Sequence, residues 1–194
     1  MTTSTLKRFT WLPLALSLAA APSAVWAHTG QHLASFSTGL LHPLTGVDHL
    51  LMLVAFGMLV GFSSLKAKGK AGLMVAALAV LFAGLVAGRS LGAMAPIELL
   101  ILVSLLVVSG ALWSAFSASK QWQNLSLTVC TAMLFFHGYA HGVEITGTVT
   151  SFSTGMLVSA TGLMAVGLAA HRIVASQWLA AIVSSLTAAY LLTA

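Results

Sequence analysis

The chain has 194 residues, of which 59% are hydrophobic and 6% charged, and its mean hydropathy is +1.01. A soluble domain carries about 25% charge, so the composition excludes that class and reads as an integral membrane protein. The formal charge of +5 does not mark a nucleic-acid binder, because the 8 lysines and arginines are scattered a few at a time between apolar runs and read as topology determinants.

The first element is a targeting segment. Lys7 and Arg8 precede an apolar run from Phe9 to Ala21, Pro22 and Ser23 break it, and Val25-Trp26-Ala27 presents small residues at a cleavage position. That is the order of a secretory signal, so residues 1–27 are expected to be removed. Residues 28–39 then form a periplasmic tail bearing His28 and His32, a short tract able to collect metal.

Six apolar runs follow, each long enough to cross a bilayer. We place them at Leu40–Phe62, Ala71–Gly88, Ala95–Phe116, Leu125–Val143, Phe152–Ala170 and Val174–Thr193. Backbone groups in lipid must be satisfied internally, so these are helices. The expected fold is an all-α integral membrane protein: a bundle of six transmembrane helices after an N-terminal signal peptide, with residues 40–194 as one domain. With the mature N-terminus outside, Lys66, Lys68, Lys70, Lys120 and Arg172 fall inside and only Arg89 falls outside, in line with the positive-inside rule.

Small residues recur at four-residue spacing in Gly57/Gly61, Gly84/Gly88, Gly88/Gly92 and Gly138/Gly142, which lets helix backbones approach closely. Cys130 is the single cysteine and reads as a small apolar core residue. The same holds for Met52, Met58, Met74, Met133, Met156 and Met164, which form no ligand cluster in the sequence. His171 beside Arg172 reads as a topology residue.

Two stretches carry the chemistry. One is His42-Pro-Leu-Thr-Gly-Val-Asp48-His49, and the other is Phe136-His137-Gly-Tyr-Ala-His141-Gly-Val-Glu144. Together they hold 2 of the 3 acids and 4 of the 7 histidines. Ionisable groups are costly inside a membrane and are functional by default. On the topology above, both stretches lie in the outer half of the bilayer, with Glu98 and Arg89 on the same side as an ion pair or a share in the site.

At about 100° per residue, His137, His141 and Glu144 form one stripe about 60° wide. His42 and His49 share a face of the first helix, with Pro43 suited to its first turn. Imidazole and carboxylate suit a borderline divalent metal. Asp48 and Glu144 would neutralise it, and Asp48 can instead orient an imidazole. Binding should weaken in acid, because ligating histidines must be deprotonated.

The two stretches resemble the signatures of the HupE/UreJ family, small bacterial nickel or cobalt permeases often encoded beside hydrogenase or urease genes. The resemblance spans essentially the whole chain. It implies His42, Asp48, His49, His137, His141 and Glu144 as the metal-handling residues, and Glu98 in Ala-Pro-Ile-Glu matches a family acidic position. It also implies an inner-membrane location and a link to hydrogenase or urease maturation. Helix five in that family often carries a histidine where Ser159-Ala-Thr-Gly-Leu-Met164 offers methionine here.

The expected activity is secondary uptake of Ni²⁺ or Co²⁺ from the periplasm, with no prosthetic group and no enzymatic step. The bilayer and the ion are the expected partners. Two alternatives share the ligand chemistry: an intramembrane zinc hydrolase with Glu144 as base, and a haem protein with His49 and His137 as axial ligands.

Overall fold

The computed structural model describes residues 32–33, 35–115 and 119–173, together with positions 178, 180–183 and 185–186. The expected signal peptide and His28 lie outside the described residues. The elements are β1 (His32–Leu33), α1 (Phe36–Thr45), α2 (Val47–Phe62), α3 (Ala67–Leu91), α4 (Ile97–Ser114), α5 (Lys120–Glu144), β2 (Ile145–Thr146) and α6 (Val149–Ala170). The described positions between 178 and 186 are helical, and Ser109 on α4 donates to the Ala180 carbonyl at 2.7 Å.

The expected first span is broken. It divides into α1 and α2, which meet at 79°. Ser35 opens α1 through a capping box, its hydroxyl accepting from Thr38 N–H at 3.1 Å while Thr38 Oγ1 accepts from Ser35 N–H at 3.0 Å. Pro43 therefore lies inside α1 and not in its first turn, where it removes a helical hydrogen bond and crowds the preceding turn. The helix ends two residues later. Gly46, in an extended conformation, joins the halves: its N–H donates to the His42 carbonyl and its own carbonyl accepts from Leu50 N–H, both at 2.9 Å.

Length and composition qualify α3, α4 and α6 as membrane spans, and the bent α1–α2 pair can make a fourth. The expected fourth span, Leu125–Val143, lies within α5. That helix starts earlier, at Lys120, and its polar first turns and histidines keep it out of the apolar set. The sixth expected span falls on residues only partly described.

Glycines bring the helices together in two parallel pairs. Gly84 abuts Phe135 and Gly88 abuts Tyr139, while Gly138 and Gly142 abut Leu81 and Leu85. Thus α3 and α5 interlock through two small-residue pairs, each facing the other's backbone carbonyls. Likewise Gly57 abuts Met164, and Gly167 abuts Val54, joining α2 to α6. Close approach of this kind replaces the hydrophobic drive that lipid removes.

Two hydrogen bonds fix the poles of the bundle. Lys70 Nζ donates to the Gly61 carbonyl at 2.6 Å, tying the start of α3 to the end of α2. Arg89 Nη1 donates to the Ile145 carbonyl at 2.9 Å, tying the end of α3 to the end of α5. Lys66, Lys68, Lys70, Lys120 and Arg172 therefore share one pole, and the Gly46 break lies at the other. His171 is more than a loop residue: its ring packs edge-on against Phe62, centroids 5.6 Å apart, and it contacts Gly61 and the Leu168 carbonyl.

Candidate metal centre

The break at Gly46 and the last two turns of α5 meet. His42 lies in the last turn of α1 on one side of the break, while Asp48 and His49 lie in the first turn of α2 on the other. His137 and His141 face them from α5. The ring centroids of His42 and His141 are 4.3 Å apart, those of His49 and His141 4.4 Å, and those of His49 and His137 4.9 Å. His42 and His49 do not stack along one helical face, as a continuous helix would require; they meet edge-on across the bend at 5.5 Å.

All four rings are buried, at 8% exposure for His42, 2% for His49 and 1% each for His137 and His141. Phe152 on α6 covers the outer pair, its ring centroid 6.2 Å from those of both His42 and His141. Among the described residues two sets of ligand atoms lie within 4.8 Å of one another: His42 with His49 and His141, and Asp48 with His49 and His137. His49 belongs to both. These are two overlapping three-ligand positions about one imidazole.

The local backbone explains the placement. Asp48 occupies the first turn of α2, where the helix dipole favours a carboxylate. Its Oδ2 lies 2.9 Å from His49 Nδ1. A Cβ on Gly46 would sit 3.0 Å from His49 Nδ1 and 3.2 Å from Asp48 Oδ1. Glycine thus relieves crowding there, since its φ of −78° is open to any residue.

A small cavity of about 10 Å³ adjoins the cluster, bounded by His49, His137 and His141, with Leu53, Leu134 and Met156 among the apolar residues closing it. A volume of that order admits one water-sized occupant. Met156 thus borders the site although the sequence marked it only as packing. Met164, at the position where the resemblance implied a histidine, is fully buried where α6 meets Gly57.

Other expected residues fall elsewhere. Glu144 is the last residue of α5 and belongs to neither set of converging ligand atoms. Glu98 is exposed in the first turn of α4. It makes no ion pair with Arg89, whose guanidinium is turned to Ile145. The His32 backbone pairs in parallel with Ile145 and Leu33 with Thr146, which places these two residues beside the end of α5.

One residue missed by sequence reasoning touches the cluster. Ser104 on α4 is fully buried, and its Oγ lies 2.7 Å from His137 Nε2. A serine within a run of apolar residues carries no signal by itself.

The profile of the HupE / UreJ protein family matches residues 15–194. The chain belongs to the HupE/UreJ family. It is 32% identical over 174 residues to Protein HupE of Rhizobium leguminosarum bv. viciae, covering 85% of this chain and 86% of that protein. No solved structure matches the chain. Family membership and the apolar helices together make this HupE/UreJ protein a multi-pass membrane protein.

Proposed function

We propose that the protein is an inner-membrane secondary permease for Ni²⁺, with Co²⁺ as a second cargo, taking the ion from the periplasm through the His/Asp cluster between the broken first span and α5. The full arrangement would be six spans after a cleaved signal, with the cluster at the periplasmic pole and the lysine-bearing pole in the cytoplasm. The observation that carries this reading is the convergence of four buried histidines and Asp48 from three helices, α1, α2 and α5, on overlapping ligand positions.

Three physical features favour passage over permanent binding. First, His49 is common to both ligand sets, so the two positions lie next to each other about one imidazole. Second, the cluster contains one carboxylate, which leaves a divalent ion with net positive charge. The C-terminal ends of α1 and α5 converge there, and helix C-termini carry partial negative charge that moderates this excess. Third, a broken span at an ion site is the usual device of secondary transporters.

The cavity has room for about one water-sized occupant, so a hydrated ion would have to shed its shell at the imidazoles. An inward-negative potential would favour cation entry by about 2.3 kcal/mol per charge per 100 mV. The test is radiolabelled Ni²⁺ uptake by metal-depleted cells. Asp48→Ala and His137→Ala should each abolish it; uptake at the wild-type rate in either variant would sink the proposal.

A further inference from the structure

We infer that Ser104 is the positioning residue that selects which nitrogen of His137 meets the ion. The inference rests on the reading of His137 as a ligand and adds a residue outside both stretches of the sequence that carry ionisable groups.

The argument is a count of protons. Ser104 Oγ makes two short contacts, 2.6 Å to the Ile101 carbonyl oxygen and 2.7 Å to His137 Nε2. Contacts that short between electronegative atoms each require a hydrogen between them. The carbonyl has none to give, and a serine hydroxyl has one. The hydroxyl hydrogen therefore goes to Ile101, in the back-bonding geometry common for serine in helices. The second hydrogen must come from the ring, so His137 donates from Nε2 and Ser104 accepts.

A neutral imidazole protonated at Nε2 carries its lone pair at Nδ1. Nδ1 is then the nitrogen that His137 has to offer in the set it forms with Asp48 and His49. Ser104 is fully buried, so no bulk water replaces it as acceptor. Its role matches that of outer partners in metal sites, which hold a ligating histidine in one tautomer and orientation. Here the partner comes from α4, which contributes no ligand of its own to the cluster.

The experiment uses the full chain in detergent, labelled with ¹⁵N-histidine, and needs no variant for its first readout. Solid-state NMR of the metal-free wild type should show His137 protonated at Nε2, the signal being assigned by its loss in His137→Asn. A ring protonated at Nδ1 overturns the inference. The second readout is Ni²⁺ titration of Ser104→Ala and Ser104→Thr. Loss of the acceptor should mix the His137 tautomers and weaken binding by about 10–100-fold, and the threonine hydroxyl should restore both.

Wild-type affinity together with a single Nε2-protonated form in Ser104→Ala also overturns it. If His137→Ala binds Ni²⁺ like wild type, the ligand reading fails by itself, while the tautomer measurement still decides what Ser104 does to the ring.

Discussion

His49 and His141 stand with ring centroids 4.4 Å apart, one at the start of α2 and the other in the last turn of α5. That pairing joins the two conspicuous stretches of the chain into one centre. It depends on the 79° bend between α1 and α2, which turns His42 back over His49 and lets both face α5.

The shared imidazole should matter more than either outer one. His49→Ala removes a ligand from both three-residue sets, whereas His42→Ala leaves Asp48, His49 and His137 in place. Loss of one ligand should cost roughly 3 kcal/mol, on the order of 100-fold in affinity. Calorimetric titration with Ni²⁺ should therefore rank His49→Ala well below His42→Ala. Equal losses would mean that the two sets are not alternatives about a common ligand.

Gly46 should be needed for space and not for backbone conformation. A methyl group there would press on His49 Nδ1 and Asp48 Oδ1. Displacing those side chains from good rotamers costs about 1 kcal/mol, or roughly fivefold in affinity. Gly46→Ala should keep the wild-type circular dichroism spectrum and bind Ni²⁺ several-fold more weakly, and Gly46→Val should bind worse. Unchanged binding in the valine variant would contradict the crowding argument.

The α3–α5 seam predicts where stability resides. Gly84 and Gly138 face backbone carbonyls of the opposite helix, while Gly162 on α6 has nothing within 4 Å. Gly138→Ala should destabilise by about 1–3 kcal/mol or more, as overpacking does. Gly162→Ala should be neutral or stabilising by up to about 1 kcal/mol through helix propensity. Thermal unfolding in detergent separates them, and a lower midpoint for the Gly162 variant would count against the packing described.

The carboxylates should divide by position. Glu98 is exposed and lies outside the ligand sets, so Glu98→Gln should leave Ni²⁺ uptake near the wild-type rate. Glu144 ends α5 three residues beyond His141, and Glu144→Gln should slow uptake at low Ni²⁺ while keeping stoichiometric binding. Abolished binding in Glu144→Gln would make Glu144 a ligand in its own right.

Most of the site was legible from the sequence because its cost is local. An imidazole or carboxylate in an apolar run is anomalous wherever it occurs, and His42, Asp48, His49, His137 and His141 announced themselves that way. The clustering of Lys66, Lys68, Lys70, Lys120 and Arg172 at one pole was legible for the same reason, with Arg89 alone among the described basic residues at the other. Gly84/Gly88 and Gly138/Gly142 also read correctly as places of close approach, whereas Gly88/Gly92 did not: Gly92 caps the end of α3 with nothing within 4 Å.

What the sequence could not decide were questions of direction and distance. A regular run from Leu40 to Phe62 looks like one helix, because nothing in its apolar pattern marks the break at Gly46, where both halves pack on α6. Glu144 shares a helical stripe with His137 and His141, yet it lies at the helix end, past the point where α2 comes close. Ser104 was invisible, because a serine that bonds its own helix carbonyl costs little in an apolar segment. By itself, then, the sequence determined that a buried His/Asp set lies at one pole of a membrane bundle, since desolvation penalties belong to residues. Only the tertiary structure decided which of those residues converge and which neighbour orients them, since those depend on how the helices bend and meet.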